Sequence, residues 1–274
     1  MADPALPPEL ERDIFELAAV TDKSMISTLT LVSRRVNAWI GPLRNRVRLI
    51  EDVDVLDALW VRMEQRPETA AATRFLATTT TPPDSVPRLA RTFPNLVDLG
   101  LWGAPVSPED LQALHALTHL RRLSLNPCNV LPKDAGAPPA LAFAPFARLT
   151  HLEIFADVEA WMVPGLAAAF PALTHLSFFD LRFPVLMKAV LHAQKTLRVF
   201  VYVYIEDPND VDPRDPAEVA RLLGVDDPRL AVVPLVDFTL DWEVGAWGGW
   251  DYWARAEDDI SRRVPKKDAA VPPQ

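Results

Sequence analysis

The chain has 274 residues, of which 49% are hydrophobic and 24% are charged, and its formal net charge at pH 7 is −9. These proportions are typical of a globular protein with a sizeable core and exclude a largely disordered chain. The acidic balance argues against nucleic acid or an anionic membrane as the main partner, because both are bound through basic surfaces.

The cysteine content and the first residues indicate the compartment. The single cysteine, Cys128, excludes an intrachain disulfide framework and a cysteine-rich metal site. The opening Met-Ala-Asp-Pro lacks the basic region and apolar run of a secretory signal. No stretch approaches the roughly 18 apolar residues that a membrane helix needs. We therefore expect a reducing compartment, cytoplasmic or nuclear, and no membrane partner.

Residues 1–48 are predicted to form a small all-α module. A first helix is predicted from apolar residues at helix spacing, namely Leu6, Leu10, Ile14 and Leu17. Pro7 and Pro8 fit its first turn, where backbone N–H groups have no intrahelical partner to lose. A second helix is predicted from apolar residues with the same spacing, namely Ile26, Leu29, Val32 and Val36. Gly41 and Pro42 are expected to end it.

Residues 49–262 are predicted to form an α/β solenoid, because the phrase Leu-x-x-Leu-x-Leu recurs along them. Its copies begin at Leu96, Leu120, Leu149 and Leu173, which lie 24, 29 and 24 positions apart, and a weaker copy begins at Leu197. This phrase at this period is typical of leucine-rich repeats, in which each copy is a strand and stacked units share one core. Two earlier strands are expected at residues 47–50 and 74–76.

The segments between these strands predict outer helices. Asp54, Ser107 and Asp215 stand where a side-chain oxygen can cap a helix N-terminus, and Pro and acidic residues follow Ser107 and Asp215. Further helices are expected over residues 157–169 and 183–194. Alternation of strand and helix at this period predicts an irregular leucine-rich-repeat stack of about seven units, with parallel strands and outer helices.

Two insertions and the C-terminal region complete the predicted domain. Residues 127–145 and 206–216 are rich in turn-forming residues and predict surface loops. A last strand pair is predicted at residues 230–233 and 236–240. The tryptophans that follow are predicted to cap the open end of the solenoid, and these are Trp242, Trp247, Trp250 and Trp253. Residues 263–274 are expected to be a flexible tail.

The predicted sheet also predicts a binding face. Alternation along each strand turns the leucines toward the core and their neighbours toward a concave outer face. Aromatic and arginine side chains concentrate binding energy in protein interfaces. We therefore expect a target protein to bind a set of outward residues, namely Trp102, Arg122, His151, Glu153, Phe155, His175 and Phe179. In the alternative, helices, a long loop or the tail already cover this face.

The sequence lacks the usual signatures of catalysis. It contains no glycine-rich phosphate loop, no dinucleotide-binding glycine motif, no nucleophile elbow and no paired-histidine zinc motif. His151 and His175 occupy the same place in adjacent repeats, but a zinc site needs three or four ligands. We therefore expect no catalytic residue, no cofactor and no metal.

The N-terminal module resembles the F-box family over about 40 residues. The resemblance rests on Leu6-Pro7-x-Glu9-Leu10-x-x-x-Ile14-Phe15, on Leu29-x-x-Val32-Ser33-Arg34-Arg35, and on Trp39 and Pro42-Leu43. The segment between Phe15 and Val32 is a few residues longer than the family pattern, and Val36 stands where the family usually has an aromatic residue.

The resemblance implies that the module binds a Skp1-like protein and joins a cullin–RING ubiquitin ligase, while the solenoid holds a target protein. The residues that it implies for Skp1 binding are Leu6, Pro7, Leu10, Ile14, Leu29, Val32 and Arg34. The irregular repeats are similar to those of the F-box proteins of mushroom-forming fungi. The alternative is a stand-alone leucine-rich-repeat interaction scaffold with no role in ubiquitin transfer, in which the front helices only cap the stack.

Overall fold

The structure, a computed structural model, describes residues 6–82, 84–103, 105–127, 130–131, 141, 143–155, 158–179, 184–206 and 215–263. Most of the predicted loops 127–145 and 206–216 lies outside these residues, as do Cys128 and the predicted tail after Arg263.

One sheet of eight parallel strands forms the centre of the fold, with the strands side by side in chain order. The strands are β1 (Val47–Ile50), β2 (Phe75–Thr78), β3 (Asp98–Leu101), β4 (Arg122–Leu125), β5 (His151–Ile154), β6 (His175–Phe179), β7 (Val199–Ile205) and β8 (Leu230–Leu235). Leu99 pairs with Leu123, which pairs with Leu152, which in turn pairs with Leu176. The predicted α/β architecture with a parallel, solenoid-like sheet is confirmed.

Twelve α-helices are present in the described residues. They are α1 (Pro8–Thr21), α2 (Met25–Leu29), α3 (Arg34–Ile40), α4 (Val53–Gln65), α5 (Pro67–Ala72), α6 (Ser85–Thr92), α7 (Pro108–Leu114), α8 (Met162–Ala169), α9 (Pro184–Ala193), α10 (Pro216–Leu223), α11 (Phe238–Ala246) and α12 (Tyr252–Arg263). A short 3-10 helix, Gly41–Asn45, links α3 to β1.

The helix starts follow local capping chemistry. Ser107 Oγ accepts a hydrogen bond from the Asp110 backbone N–H at 3.1 Å, and the Asp110 side chain accepts one from the Ser107 backbone N–H at 2.9 Å. This reciprocal pair satisfies two N–H groups that the first turn of α7 would otherwise leave unpaired. Asp215 caps α10 in a similar way, with its carboxylate accepting from the Ala217 N–H.

A leucine core fills the space between the sheet and its outer helices. The inward strand leucines, among them Leu99, Leu152 and Leu176, are fully buried and belong to one cluster that extends from Ile50 to Leu230. Each fully buried leucine side chain contributes about 1.5–3 kcal/mol relative to its exposed state. The repeat period therefore positions one face of every strand in a common core. The opposite face of the sheet is not part of this leucine core.

Two predicted elements are wrong in detail. The predicted helix from Ile26 to Val36 is in fact two helices, α2 and α3. The chain is extended at Ser33, whose hydroxyl accepts a hydrogen bond from the Val36 N–H and caps the N-terminus of α3. The predicted strand at residues 236–240 is instead the start of α11, because the Asp237 carboxylate accepts from the Leu240 N–H and caps a helix there.

Candidate docking surfaces

The N-terminal helices have a small core of their own. Its buried members come from α1, α2 and α3 and are Ala19, Ile26, Leu29, Val36 and Ile40. Leu29 therefore packs inside the module. It does not lie on the docking surface that the sequence predicted for it.

A second set of apolar residues on the module faces outward. Leu6, Leu10, Ile14 and Leu17 are 44%, 51%, 55% and 68% exposed, and we name these four residues the apolar row. They recur at intervals of three or four positions, so they lie along one side of α1 and its N-terminal extension. Pro7 and Arg34 are also exposed, as are Leu31 and Val32 in the turn before α3. Apolar side chains in such a contiguous set commonly mark an interaction site.

Polar contacts fix how the module is held. Arg35 on α3 forms an ion pair with Glu11 on α1. Lys23 Nζ lies 2.6 Å from Glu243 Oε1 on α11, and the partly buried Trp247 ring packs against the core of the module. The module is therefore attached to α11 as well as to the chain that continues into β1.

The predicted binding residues lie together on the outer face of the sheet. The ring of Trp102, just after β3, lies with its centroid 6.2 Å from that of Phe155, just after β5. The Phe155 centroid lies 5.2 Å from that of Phe179 at the end of β6. The His151 and His175 rings stack with centroids 4.0 Å apart and planes within 5°. Arg122 and Glu153 stand on the same face in β4 and β5. We name these seven residues the covered face, because the C-terminal helices lie over them. They are Trp102, Arg122, His151, Glu153, Phe155, His175 and Phe179.

The C-terminal helices pack directly on this face. The Phe238 ring meets Trp102, Phe155 and Phe179 edge-on, with centroid distances of 4.8, 4.6 and 5.8 Å. The Trp253 ring meets His151 and His175 edge-on, at 5.2 and 5.8 Å. In this structure α11 and α12 therefore occupy the face on which the sequence predicts that a target protein binds.

The four tryptophans of the predicted C-terminal cap lie in different places, and Trp253 alone among them belongs to the buried cluster on the last two strands, β7 and β8. Trp242 packs edge-on against Trp102 at 5.7 Å, and Trp253 lies over the histidine pair. Trp247 contacts the N-terminal module, while Trp250 is 59% exposed. Trp242 and Trp253 thus bury their rings against aromatic and histidine rings of the outer sheet face.

Polar side chains within residues 242–257 meet polar groups on the outer face of the sheet, which are Asp98 and three members of the covered face. The Tyr252 hydroxyl donates to Glu153 Oε1 at 2.8 Å, and the Trp242 indole N–H donates to Asp98 Oδ1 at 3.4 Å. The remaining pairs are Arg122 with Asp251, at 3.3 Å, and His175 Nε2 with Glu257 Oε1, at 2.8 Å. Sequence reasoning missed Asp251, Tyr252 and Glu257, since no local pattern distinguishes them from other surface residues of a helix.

Burial under the helices shifts the protonation of these groups. It raises the pKa of Glu153 to about 8, against hydrogen bonds from Tyr252 and Ser124 that lower it. It likewise raises the pKa of Asp98 to about 6, against the opposing attraction of Arg122. Burial lowers the pKa of His151 to about 2, with a smaller contribution from His175. Burial also lowers the pKa of His175, although Glu257 opposes that shift.

The space left inside this interface is small. A cavity of about 20 Å³ is bounded by Asp98, Glu153, Asp251 and Tyr252 together with neighbouring side chains. That volume holds about one water molecule, which the surrounding polar groups would bind well. At this point the contact between the sheet and α12 leaves a space of only about that size.

A larger cleft of about 450 Å³ opens between α1 and α11. Its apolar lining includes Leu17, Val20, Leu240, Val244 and Trp247. One end of the apolar row therefore leads into this cleft, which continues the exposed apolar surface of the module onto α11.

Within the described residues, no three or more histidine, cysteine, aspartate or glutamate side chains come together in a way that could hold a metal ion. No helix in the described part of the chain is both long and apolar enough to span a membrane. Comparison with known families and proteins gives no relative, since no protein-family model matches the chain and no curated protein matches it.

Proposed function

We propose that this protein is the substrate-recognition adaptor of a Skp1–cullin–F-box ubiquitin ligase. The apolar row docks on a Skp1-like protein, and the repeat domain holds a target protein. The chain carries out no chemistry of its own in this mechanism. It raises the effective concentration of target lysines near the ligase, and this proximity accelerates transfer.

The observation that carries the proposal is the separation of two apolar sets on one small module. Leu29 and Ile40 fill the module's own core, whereas Leu10 and Ile14 are more than half exposed on its outside. An apolar row that the fold itself does not need is stabilised only when a partner covers it. Because its leucines are already partly buried, each then contributes roughly half of the 1.5–3 kcal/mol of full burial.

The second candidate is a stand-alone scaffold whose front helices belong to the repeat domain. The contact of Trp247 with the module core and the Lys23–Glu243 ion pair favour it, because they make the module part of the same folded body. Under this alternative the apolar row binds no Skp1-like protein.

Co-expression with a Skp1-like protein, followed by size-exclusion chromatography, separates the two candidates. The adaptor predicts a one-to-one complex for the wild type and its loss in the double variant Leu10→Asp/Ile14→Asp. Both substituted side chains are exposed, so folding is expected to survive. Leu222→Asp is the matched control, because Leu222 is 70% exposed on α10 and lies outside the module. A folded wild-type chain that elutes without the Skp1-like protein would exclude the adaptor.

A further inference from the structure

We propose that residues 238–263 are an intramolecular ligand of the covered face, and that an acidic, aromatic helical segment of a partner protein displaces them. The inference deepens the proposed function. Its identification of the partner as a target protein rests on that function. It assigns the covered face as the target site, and α11 and α12 as the segment that occupies this site until a target arrives.

The backbone of the segment is independent of the sheet. Among the described residues, the backbone hydrogen bonds of α11 and α12 lie within the segment or run to Asp237 immediately before it, as in the Arg255 N–H bond to the Asp251 carbonyl. Strands β1 to β8 complete their ladder with one another. Departure of the segment would therefore break side-chain contacts while leaving the sheet ladder intact.

The contacts that hold the segment are those of a protein–protein interface. Aromatic anchors hold it on the covered face, with Phe238 over three rings of the sheet and Trp253 over the two stacked histidines. Beyond that face, α12 packs on buried aliphatic side chains of β7 and β8, among them Val201, Val203 and Val233. The core on the other side of the sheet is instead mainly leucine and other aliphatic side chains. Clusters of aromatic anchors are characteristic of the residues that dominate binding energy between proteins.

The polar groups in this interface gain little free energy from being covered by the segment. Arg122, Glu153 and His175 stand on an outer sheet face, where water would solvate them if the segment left. Covering them removes that water and leaves the pairs with Asp251, Tyr252 and Glu257 in its place. Buried polar pairs of this kind roughly balance their desolvation cost, which suits an interface that opens.

The same pairs define the chemistry of the displacing partner. Asp251 and Glu257 present carboxylates to Arg122 and His175, so the face accepts an acidic helix. Tyr252 brings a hydroxyl to Glu153, and its ring lies beside Trp253 with centroids 4.6 Å apart. A partner segment that presents adjacent aromatic rings with carboxylates on the same side of a helix satisfies every one of these contacts.

A cleavable full-length chain tests the inference directly. A specific protease site is inserted after Val236, which is exposed in the link between β8 and α11. The chain is folded first and then cut, and a fluorescent synthetic peptide of residues 237–263 is added in excess. We expect the cut protein to keep its cooperative unfolding transition and to exchange its own segment for the labelled peptide. The uncut protein should bind the peptide only at much higher peptide concentration, because its tethered segment competes at a high effective concentration.

Peptide variants test the contacts. The Tyr252→Phe peptide removes the donor to Glu153 and is expected to bind about tenfold more weakly. The Ser261→Ala peptide, altered at an exposed position, is the control and is expected to bind as the parent does. Two results would overturn the inference: loss of the folded state on cutting, or a folded cut protein that never admits the peptide. Neither readout involves a Skp1-like protein. A failure here therefore does not bear on the proposed adaptor function, which has its own test.

Discussion

The hydroxyl of Tyr252 donates a hydrogen bond of 2.8 Å to the carboxyl group of Glu153, 99 positions earlier in the chain. Both side chains are buried where α12 lies on the sheet. Because burial disfavours the charged form of a carboxyl group, this contact ties the protonation of Glu153 to the closure of the C-terminal segment.

The first prediction concerns the pH dependence of stability. The pKa of Glu153 is about 8 in the folded protein and is ordinarily 4.5, so between these values the folded state holds a proton that the unfolded state has lost. Stability therefore falls as pH rises through this window, by about 1.4 kcal/mol per pH unit for one proton. Urea unfolding at pH 6.5 and pH 8 should show a lower free energy of unfolding at pH 8.

The histidines act in the opposite direction in this window. Burial lowers the pKa of His151 and His175 in the folded protein, whereas an ordinary histidine is still half protonated at pH 6.5, so their titration in the unfolded chain makes stability rise with pH. Other titratable or charged groups around this site are Asp98, Arg122, His151, His175, Asp241, Asp251, Tyr252, Arg255 and Glu257. The variant Glu153→Gln keeps an acceptor for Tyr252 without a titrating proton, and its stability should not fall over the same range. A wild-type slope that survives in this variant would contradict the assignment to Glu153.

The second prediction concerns the glycine of α11 that faces Asp251. A Cβ at Gly245 would overlap Asp251 Oδ2 and lie 2.8 Å from Asp251 Cβ and Cγ. Asp251 cannot move away freely, because its other oxygen accepts from the Ala254 N–H at 2.9 Å. Gly245→Ala should therefore lower the free energy of unfolding by about 1–3 kcal/mol.

Gly41→Ala is the control for this substitution. Gly41 is in a right-handed helical conformation, and a Cβ there meets only Asn37 Oδ1, at 3.4 Å. Its unfolding midpoint in urea should equal or exceed that of the wild type, because alanine favours a helical conformation over glycine by up to about 1 kcal/mol. Equal losses in the two variants would show that glycine flexibility, and not the approach of Asp251, determines the effect.

The third prediction tests the repeat core. Leu152 is fully buried in the middle strand ladder, so Leu152→Ala should cost about 2–5 kcal/mol through lost burial and the cavity left behind. Leu222→Ala, at an exposed helical position, should change stability by less than about 0.5 kcal/mol. Thermal and urea unfolding of both variants measure the difference, and a small loss for Leu152→Ala would contradict the continuous core.

The fourth prediction tests the start of α7. Ser107→Ala removes the hydroxyl that accepts from the Asp110 N–H and should lower stability by about 1 kcal/mol. Ser107→Asp restores an acceptor at the same place and should recover most of the loss. Urea unfolding of the two variants side by side checks the order, and equal stabilities would mean that the cap contributes nothing measurable.

The repeated leucines made the sheet predictable from the sequence. Leu99, Leu123, Leu152 and Leu176 recur at nearly constant spacing, and such a period determines both strand positions and the side that is buried. The Ser107 and Asp215 caps were equally readable, because capping depends on residues within one helical turn. Local and periodic information was sufficient for these elements.

The covering of the outer face was not predictable in the same way. Val-Asp-Phe-Thr-Leu at residues 236–240 alternates like a strand, and only the Asp237 cap reveals the helix. The contacts of Trp242 with Asp98 and of Tyr252 with Glu153 join residues 144 and 99 positions apart, and a sequence pattern carries no record of such distant pairing. The sequence did raise a covered face as an alternative, but it did not indicate which segment covers it.

The most direct test of the account is hydrogen exchange of the full-length chain with and without a Skp1-like protein. Docking through the apolar row predicts slower exchange of backbone amides in α1, which carries Leu10 and Ile14, and unchanged exchange in β4 and β5 of the sheet. The Leu10→Asp/Ile14→Asp variant should show no added protection. Binding that leaves α1 unchanged, or no binding by a folded chain, would contradict the claim that this module is a Skp1-docking element.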